Sequence, residues 1–246
     1  YIPLAHWTFA VDGAVSQRGG WLVNTVGALD FAGGAAVEVN SGASALALAL
    51  VLGARRGWPR EPMRPHNLPL VLLGAGLLWF GWFGFNAGSA LAAGATAANA
   101  FVTTMTAASA AVVAWLVLED RLDGRPTSLG AASAAVAGLV AITPACGYVD
   151  TWGALAIGVL AGLLCQLAIR LKYRFGYDDS LDVVAIHGIG GVIGMLMLGL
   201  VATDAVNPAG ADGLFYCSEC FEKHHDEEAT QEHNWRGADQ DKDCLL

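Results

Sequence analysis

Two side chains in this sequence could do acid–base chemistry in a place where ionisable groups are costly. They are Glu38, in the apolar stretch 33–54, and His187, in the apolar stretch 183–203. An ionisable residue inside such a stretch is a functional candidate by default. A carboxyl and an imidazole that meet can hold a proton and pass it on. Their surroundings are alike: Leu29-Asp30 precedes Glu38, and Leu181-Asp182 precedes His187. That likeness suggests two inverted repeats whose key residues meet midway along the spans. The residues alone leave a blander alternative open, in which His187 bonds a neighbouring carbonyl and Glu38 lies at a wet helix end.

The elements that must position these residues are long and apolar. Besides the two stretches named, 69–90, 97–118, 128–146 and 153–171 are long enough, or nearly so, to cross a hydrocarbon core; crossing takes about 20 helical residues. Of 246 residues, 55% are hydrophobic and 14% charged, too few charges to coat a water-soluble globule of this size. In lipid each backbone N–H must find its partner inside its own segment, so the stretches are expected to be helices. Their richness in Gly and Ala suits close helix packing. The expected fold is all-α, a polytopic membrane helical bundle with about six transmembrane helices.

The linkers predict the orientation. Arg55, Arg56, Arg60, Arg64, Arg121, Arg125, Arg170, Lys172 and Arg174 fall in alternate loops and are nine of the thirteen basic residues. Loops 91–96 and 147–152 have none. Cytoplasmic loops carry the excess of Lys and Arg, so the Arg-bearing loops are expected in the cytoplasm and both ends outside. Trp7, Trp21, Trp58 and Trp152 stand near span ends, as interfacial aromatics do.

Residues 1–32 then form an external segment, 33–216 the transmembrane domain, and 217–246 an acidic tail expected to be disordered. Five cysteines do not make a disulfide scaffold. Cys217-Ser-Glu-Cys220 with His224 and His225 is a weak zinc pattern without a second spaced pair, and no metal site is assigned. A net charge of -9, gathered mostly in the tail, argues against a nucleic-acid partner.

Four blocks carry more: Asp30-Phe-Ala-Gly-Gly, Gly81-Trp-Phe-Gly-Phe-Asn-Ala-Gly-Ser89, Thr143-Pro-Ala-Cys-Gly147, and Asp182 with His187-Gly188. In order and spacing they resemble the ammonium transporter (Amt/Mep/Rh) family, from Tyr1 to about Tyr216. The resemblance implies that the six stretches correspond to family helices five to ten and that Tyr1-Ile-Pro-Leu-Ala-His6 resembles the end of helix four. It implies an external ammonium recruitment site. Phe9 stands where the family usually has Trp, with Trp7 two residues earlier; Ser89 matches the site's Ser, and Phe85 one ring of its phenyl gate. The rings would hold the cation by cation–π attraction. Asp30 matches a buried acid that helps stabilise ammonium and caps a helix, and Asp182 a structural acid at the cytoplasmic end of helix ten. His187 matches the second of the paired pore histidines. Glu38 takes the first position, where most members have His. A carboxylate there favours imidazolium, or else stays protonated because it is desolvated.

The function implied is ammonium uptake, in which the cation is recruited outside and deprotonated. Ammonia then crosses an apolar pore past Glu38 and His187 while the proton is relayed. This is transport and not enzyme chemistry, and it needs no cofactor. The implied partners are ammonium or ammonia, the lipid bilayer, two further copies in a homotrimer, and a cytoplasmic regulatory protein. The implied location is the plasma or inner membrane, multi-pass. The alternatives are an ammonium sensor and a non-functional transporter fragment, because family helices one to most of four, and eleven, are expected to be missing.

Overall fold

Every regular element in the computed structural model is a helix; the structure describes residues 1–13, 18–61 and 63–217. Eight α-helices follow in order: α1 (Ile2–Phe9), α2 (Asn40–Leu52), α3 (Leu68–Gly88), α4 (Ala95–Asp123), α5 (Ser128–Ile142), α6 (Thr151–Ile169), α7 (Leu171–Phe175) and α8 (Gly190–Val201). Three short π-helical segments, Leu22–Val26, Gly34–Val39 and Val184–Ile189, complete the list. The last two run straight into α2 and α8.

Among the described residues, five helical runs are long and apolar enough to cross a membrane: Gly34–Leu52, Leu68–Gly88, Ala95–Asp123, Thr151–Phe175 and Val184–Val201. The sixth expected span is shorter. α5 has 15 residues and stops before Pro144, which has no N–H to continue the ladder. Turn bonds from Ala145 N–H to Ile142 O and from Tyr148 N–H to Ala145 O carry the chain onward. Most of α5 is buried, so protein and not lipid surrounds it.

Helix starts follow local side chains. Asn67 Oδ1 accepts from Leu70 N–H, Thr127 Oγ1 from Gly130 N–H, and Asp150 Oδ1 from Gly153 N–H, each satisfying a donor that the first turn leaves free. The core is built on small residues. A Cβ added to Gly138 or Gly158 would lie 2.6 or 2.3 Å from the carbonyl oxygen of Ala107, and one on Gly162 would lie 2.5 Å from that of Ala111. Only glycine lets α5 and α6 approach α4 so closely. α3 is held along one line, where Trp82 Nε1 donates to Thr143 Oγ1 and Asn86 Nδ2 to Thr104 Oγ1. Its other faces expose Leu70, Leu73, Leu77 and Phe80.

Cross-ties sort the loops into two ends. At one end Arg55 pairs with Asp178, Arg170 with Asp123, and the Trp58 ring stacks on Tyr173. At the other, Phe31 N–H donates to Pro144 O, Asn99 Nδ2 to Cys146 O and Val149 O, and Thr203 N–H to Tyr148 O. The three Arg-bearing loops therefore share one end, as their alternation in sequence predicts.

Candidate functional site

Two interrupted helices build the site. Gly34–Val39 and Val184–Ile189 are each six residues of π-helix followed directly by α-helix; Glu38 is the fifth residue of the first segment and His187 the fourth of the second. The wider turn shows in the bond from Glu38 N–H to Gly33 O, five residues back. Single π turns inside α-helices occur often at functional sites, because they re-aim one side chain. Gly33 has φ 117°, and a Cβ there would strike Val37 Cγ2 at 2.7 Å, so the turn requires glycine. The two interrupted helices cross in contact. A Cβ on Gly42 would lie 2.2 Å from Gly188 Cα.

Each π segment has a buried acid at its start. Asp30 accepts from the N–H groups of Gly33, Gly34, Ala35 and Ala36. Its burial raises the carboxyl above the usual aspartate range, a rise that those four N–H groups oppose without cancelling. With its acceptors spent on backbone, Asp30 can act on a bound cation only through its charge. The matching acid in the second half is Asp179, whose Oδ2 accepts from Val184 N–H at 2.7 Å. Asp179 stands eight residues before His187, as Asp30 stands eight before Glu38. The parallel of Asp30 with Asp182 expected from the Leu-Asp dipeptides is thus shifted by three residues. Asp182 instead takes the left-handed backbone region and pairs with the Lys172 ammonium, while Lys172 also donates to Asp179 O. Burial raises the Asp182 carboxyl above its ordinary value, and Lys172 opposes that rise.

Glu38 and His187 meet. Glu38 Oε2 lies 2.7 Å from His187 Nδ1, a hydrogen bond across 149 residues of sequence. Glu38 is 1% exposed, whereas the His187 side chain is 25% exposed. The second carboxyl oxygen, Oε1, is buried without a hydrogen-bond partner among the described residues. The pair can exist as carboxylate with imidazolium or as two neutral groups, and one proton decides between them. Fit around it is tight: a Cβ on Gly191 would lie 3.0 Å from Glu38 Cβ.

His187 opens onto a cavity of about 930 Å³ at the Arg-bearing end. Leu78, Val136, Val183 and Ile186 give it apolar walls, and Arg60, Arg64, Lys172 and Asp182 give it charge. Across the two loops beside it, Asp178 Oδ2 accepts from both the backbone N–H and Nε of Arg55 at 2.8 Å, and Oδ1 from Nη2 at 2.7 Å. That guanidinium holds the Asp178 carboxyl below its ordinary value.

The remaining candidates lie on two separate elements. Trp7 and Phe9 ride on α1, are partly exposed, and Trp7 packs on Trp21 with centroids 6.0 Å apart. Phe85 lies in the last turn of α3 and Ser89 directly follows the helix, where Ser89 Oγ donates to Phe85 O at 2.8 Å. That bond uses the hydroxyl hydrogen and leaves the oxygen lone pairs free to accept from an N–H cation. Trp82, which carries no role in the sequence reading, stands edge-on to Phe85 at 5.7 Å and is buried. Its signal was the Gly-Trp-Phe-Gly-Phe string itself. Cys220, His224 and His225 of the weak zinc pattern, with nearly all the acidic tail, lie outside the described residues. No cluster of three His, Cys, Asp or Glu side chains suited to a metal occurs among the described residues.

Comparison with known proteins agrees with these blocks. The family model described as Ammonium Transporter Family matches residues 1–231. An ammonium transporter of Mycobacterium bovis is 57% identical over 221 residues, covering 88% of this chain and 46% of that protein. One of Bacillus subtilis is 49% identical over 217 residues, covering 88% and 51%. The crystal structure of Candida albicans Mep2 superposes with a TM-score of 0.76 at 39% identity, over 84% of this chain and 45% of that one. A structure described as a sensor Amt protein superposes with a TM-score of 0.75 at 33% identity, over 84% and 53%. The chain spans about half the length of the curated relatives it matches. On both its sequence and its fold, this chain belongs to the ammonium transporter family.

Proposed function

We propose that this chain supplies the relay half of an ammonium-conducting pore. The observation that carries the reading is the Glu38–His187 hydrogen bond, made by two interrupted helices that enter from opposite ends of the bundle. Buried ionisable groups in a span are kept when they pair and act on a pathway. Here the pair has one face on a cavity with apolar walls and a charged rim and the other in tight packing. Ammonium is recruited at the outer end by Phe9, Trp7, Phe85 and Ser89, with the charge of Asp30 beneath. It loses its proton, and ammonia passes Glu38 and His187 while the pair hands the proton onward. The Arg-bearing end faces the cytoplasm, on the positive-inside rule. The working assembly is a homotrimer in the cell membrane, and a cytoplasmic protein at the Arg-bearing end is the expected regulator. Likeness to a sensor Amt structure supports ammonium sensing as a second reading of the same site.

The test is a graft. The matching 221 residues of this chain replace their counterpart in the Mycobacterium bovis relative, and ammonium uptake is measured in a host without its own transporters. Uptake above the empty host is the expected result. A graft that inserts and folds but carries no ammonium, while binding it, would move the reading to sensing.

A further inference from the structure

We infer that Arg55 is a positioning residue for the relay pair, acting through Asp178 as the clamp that sets the crossing angle of the two interrupted helices. The inference rests on the Glu38–His187 pair as the working site of the pore. The first interrupted helix touches the second at Gly42, where no Cβ can be admitted against Gly188. That contact is a pivot. His187 is next to Gly188 and moves little when the helices turn about it. Glu38 is four residues from the pivot on one side, and Arg55 is thirteen residues from it on the other. At a helical rise of 1.5 Å per residue the first arm is about 6 Å, and the second is about 15 Å to Leu52, where α2 ends, and longer to Arg55 beyond it. Slack of about 3 Å at Arg55 therefore moves Glu38 by about 1 Å, by the ratio of those arms. The Glu38–His187 bond of 2.7 Å would not survive that, since hydrogen bonds fail beyond roughly 3.5 Å. Glu38 has nothing else to hold its carboxyl, because its other oxygen is unpartnered among the described residues.

The far end is fixed firmly enough to do this. Asp178 accepts three bonds from Arg55, one from the backbone and two from a planar guanidinium, and its side chain is 1% exposed. A forked pair with an added backbone bond specifies position as well as charge. The segments it joins are those that lead out of α2 and into the Val184–Ile189 turn, so no intervening element absorbs the constraint. Lysine could keep the attraction but not the fork.

The chain itself, in lipid nanodiscs, provides the test. Histidine-labelled protein is titrated and followed by nuclear magnetic resonance of the imidazoles, with the His187 signal identified by its loss in His187→Gln. Glu38→Gln marks the titration midpoint of an uncoupled His187. Arg55→Gln and Asp178→Asn should move the wild-type midpoint most of the way to that mark, and Arg55→Lys should fall between. Arg60, Glu61, Arg64, Lys172 and Asp182, which line the cavity with His187, are the same in every variant; Arg55 lines it too, but loss of its positive charge and loss of the negative charge of Asp178 would shift the midpoint in opposite directions, whereas loss of the clamp moves both towards the Glu38→Gln mark. A wild-type midpoint in Arg55→Gln, Asp178→Asn or Arg55→Lys, with Glu38→Gln displaced, overturns the clamp. So does a Glu38→Gln midpoint equal to wild type, since the pair is then uncoupled. Loss of the relay reading shows elsewhere, as a transport profile of the graft that ignores Glu38→Gln.

Discussion

Gly42 and Gly188 touch backbone to backbone, and a single methyl on Gly42 would lie 2.2 Å from Gly188 Cα. Glu38, one turn before Gly42, meets His187, next to Gly188, because this crossing is so close. Gly42→Ala should therefore force the helices apart, at about 1–3 kcal/mol for overpacking. Gly81→Ala is the control: its Cβ would meet nothing within 4 Å, and alanine gains about 1 kcal/mol over glycine in a helix. Thermal unfolding in detergent should fall for the first and hold or rise for the second.

The two acidic caps differ in how much they hold. Asp30 serves four backbone donors, and Asp179 one. Asp30→Ala should cost about 1–3 kcal/mol, since buried donors are left unpaired. Asp179→Ala should cost about 1 kcal/mol, a typical cap loss. Equal unfolding temperatures in the two variants would contradict this ranking.

The Arg55–Asp178 pair gives a pH dependence with a definite sign. Its guanidinium holds the folded Asp178 carboxyl below the ordinary 3.8. A depressed carboxylate contributes its full stability above the unfolded value and loses it as pH falls through the folded one. Unfolding temperature measured downward from pH 6 should hold until about pH 4 and then drop, by linkage to that carboxyl. Asp178→Asn should start lower and drop less. A parallel drop in both would assign the acid sensitivity to other groups.

Recruitment is tested in the graft. A cation–π contact contributes about 0.5–2 kcal/mol, so Phe9→Ala should raise the half-saturating ammonium concentration by up to roughly thirtyfold. Ser89→Ala removes an oxygen that can accept from ammonium and should weaken capture also, although its bond to Phe85 O is local. Unchanged uptake in both variants would remove Phe9 and Ser89 from the site.

Much of this molecule was legible because lipid leaves the chain few choices. Length and apolarity were enough to expect helices, and alternating Arg loops were enough to expect the shared end at which Arg55, Trp58, Arg170 and Tyr173 are tied. The meeting of Glu38 with His187 was suggested by paired context, with a wet helix end left open, and was expected from the family resemblance. The π turns were not, since a five-residue backbone bond depends on packing and a cap more than on residue type. Asp179 had a readable signal, the spacing of eight, but the Leu-Asp dipeptide pointed to Asp182. The clamp had none, because Arg55 and Asp178 lie 123 residues apart and carry no shared motif. The shortness of α5 was hidden because alanine-rich sequence looks the same whether lipid or protein surrounds it.

On the proposed relay, the two members of the central pair should fail differently. Glu38→Gln keeps the size and one hydrogen bond to the ring but removes the titrating partner. Uptake by the graft should then change in its pH dependence more than in its affinity, because the residues proposed for recruitment lie on α1 and at the end of α3 and are untouched. His187→Ala should cost more. It leaves Glu38, 1% exposed and with Oε1 already unpartnered among the described residues, without its remaining bond. A buried carboxyl stripped of its partner costs about 3–5 kcal/mol if charged, or must stay protonated. Either way the proton has nowhere to go, and uptake should fall at every pH while the protein loses stability. Uptake measured from pH 5 to 8 on both variants separates the cases. An identical pH profile in wild type and Glu38→Gln would remove the relay and leave the 2.7 Å bond as packing alone.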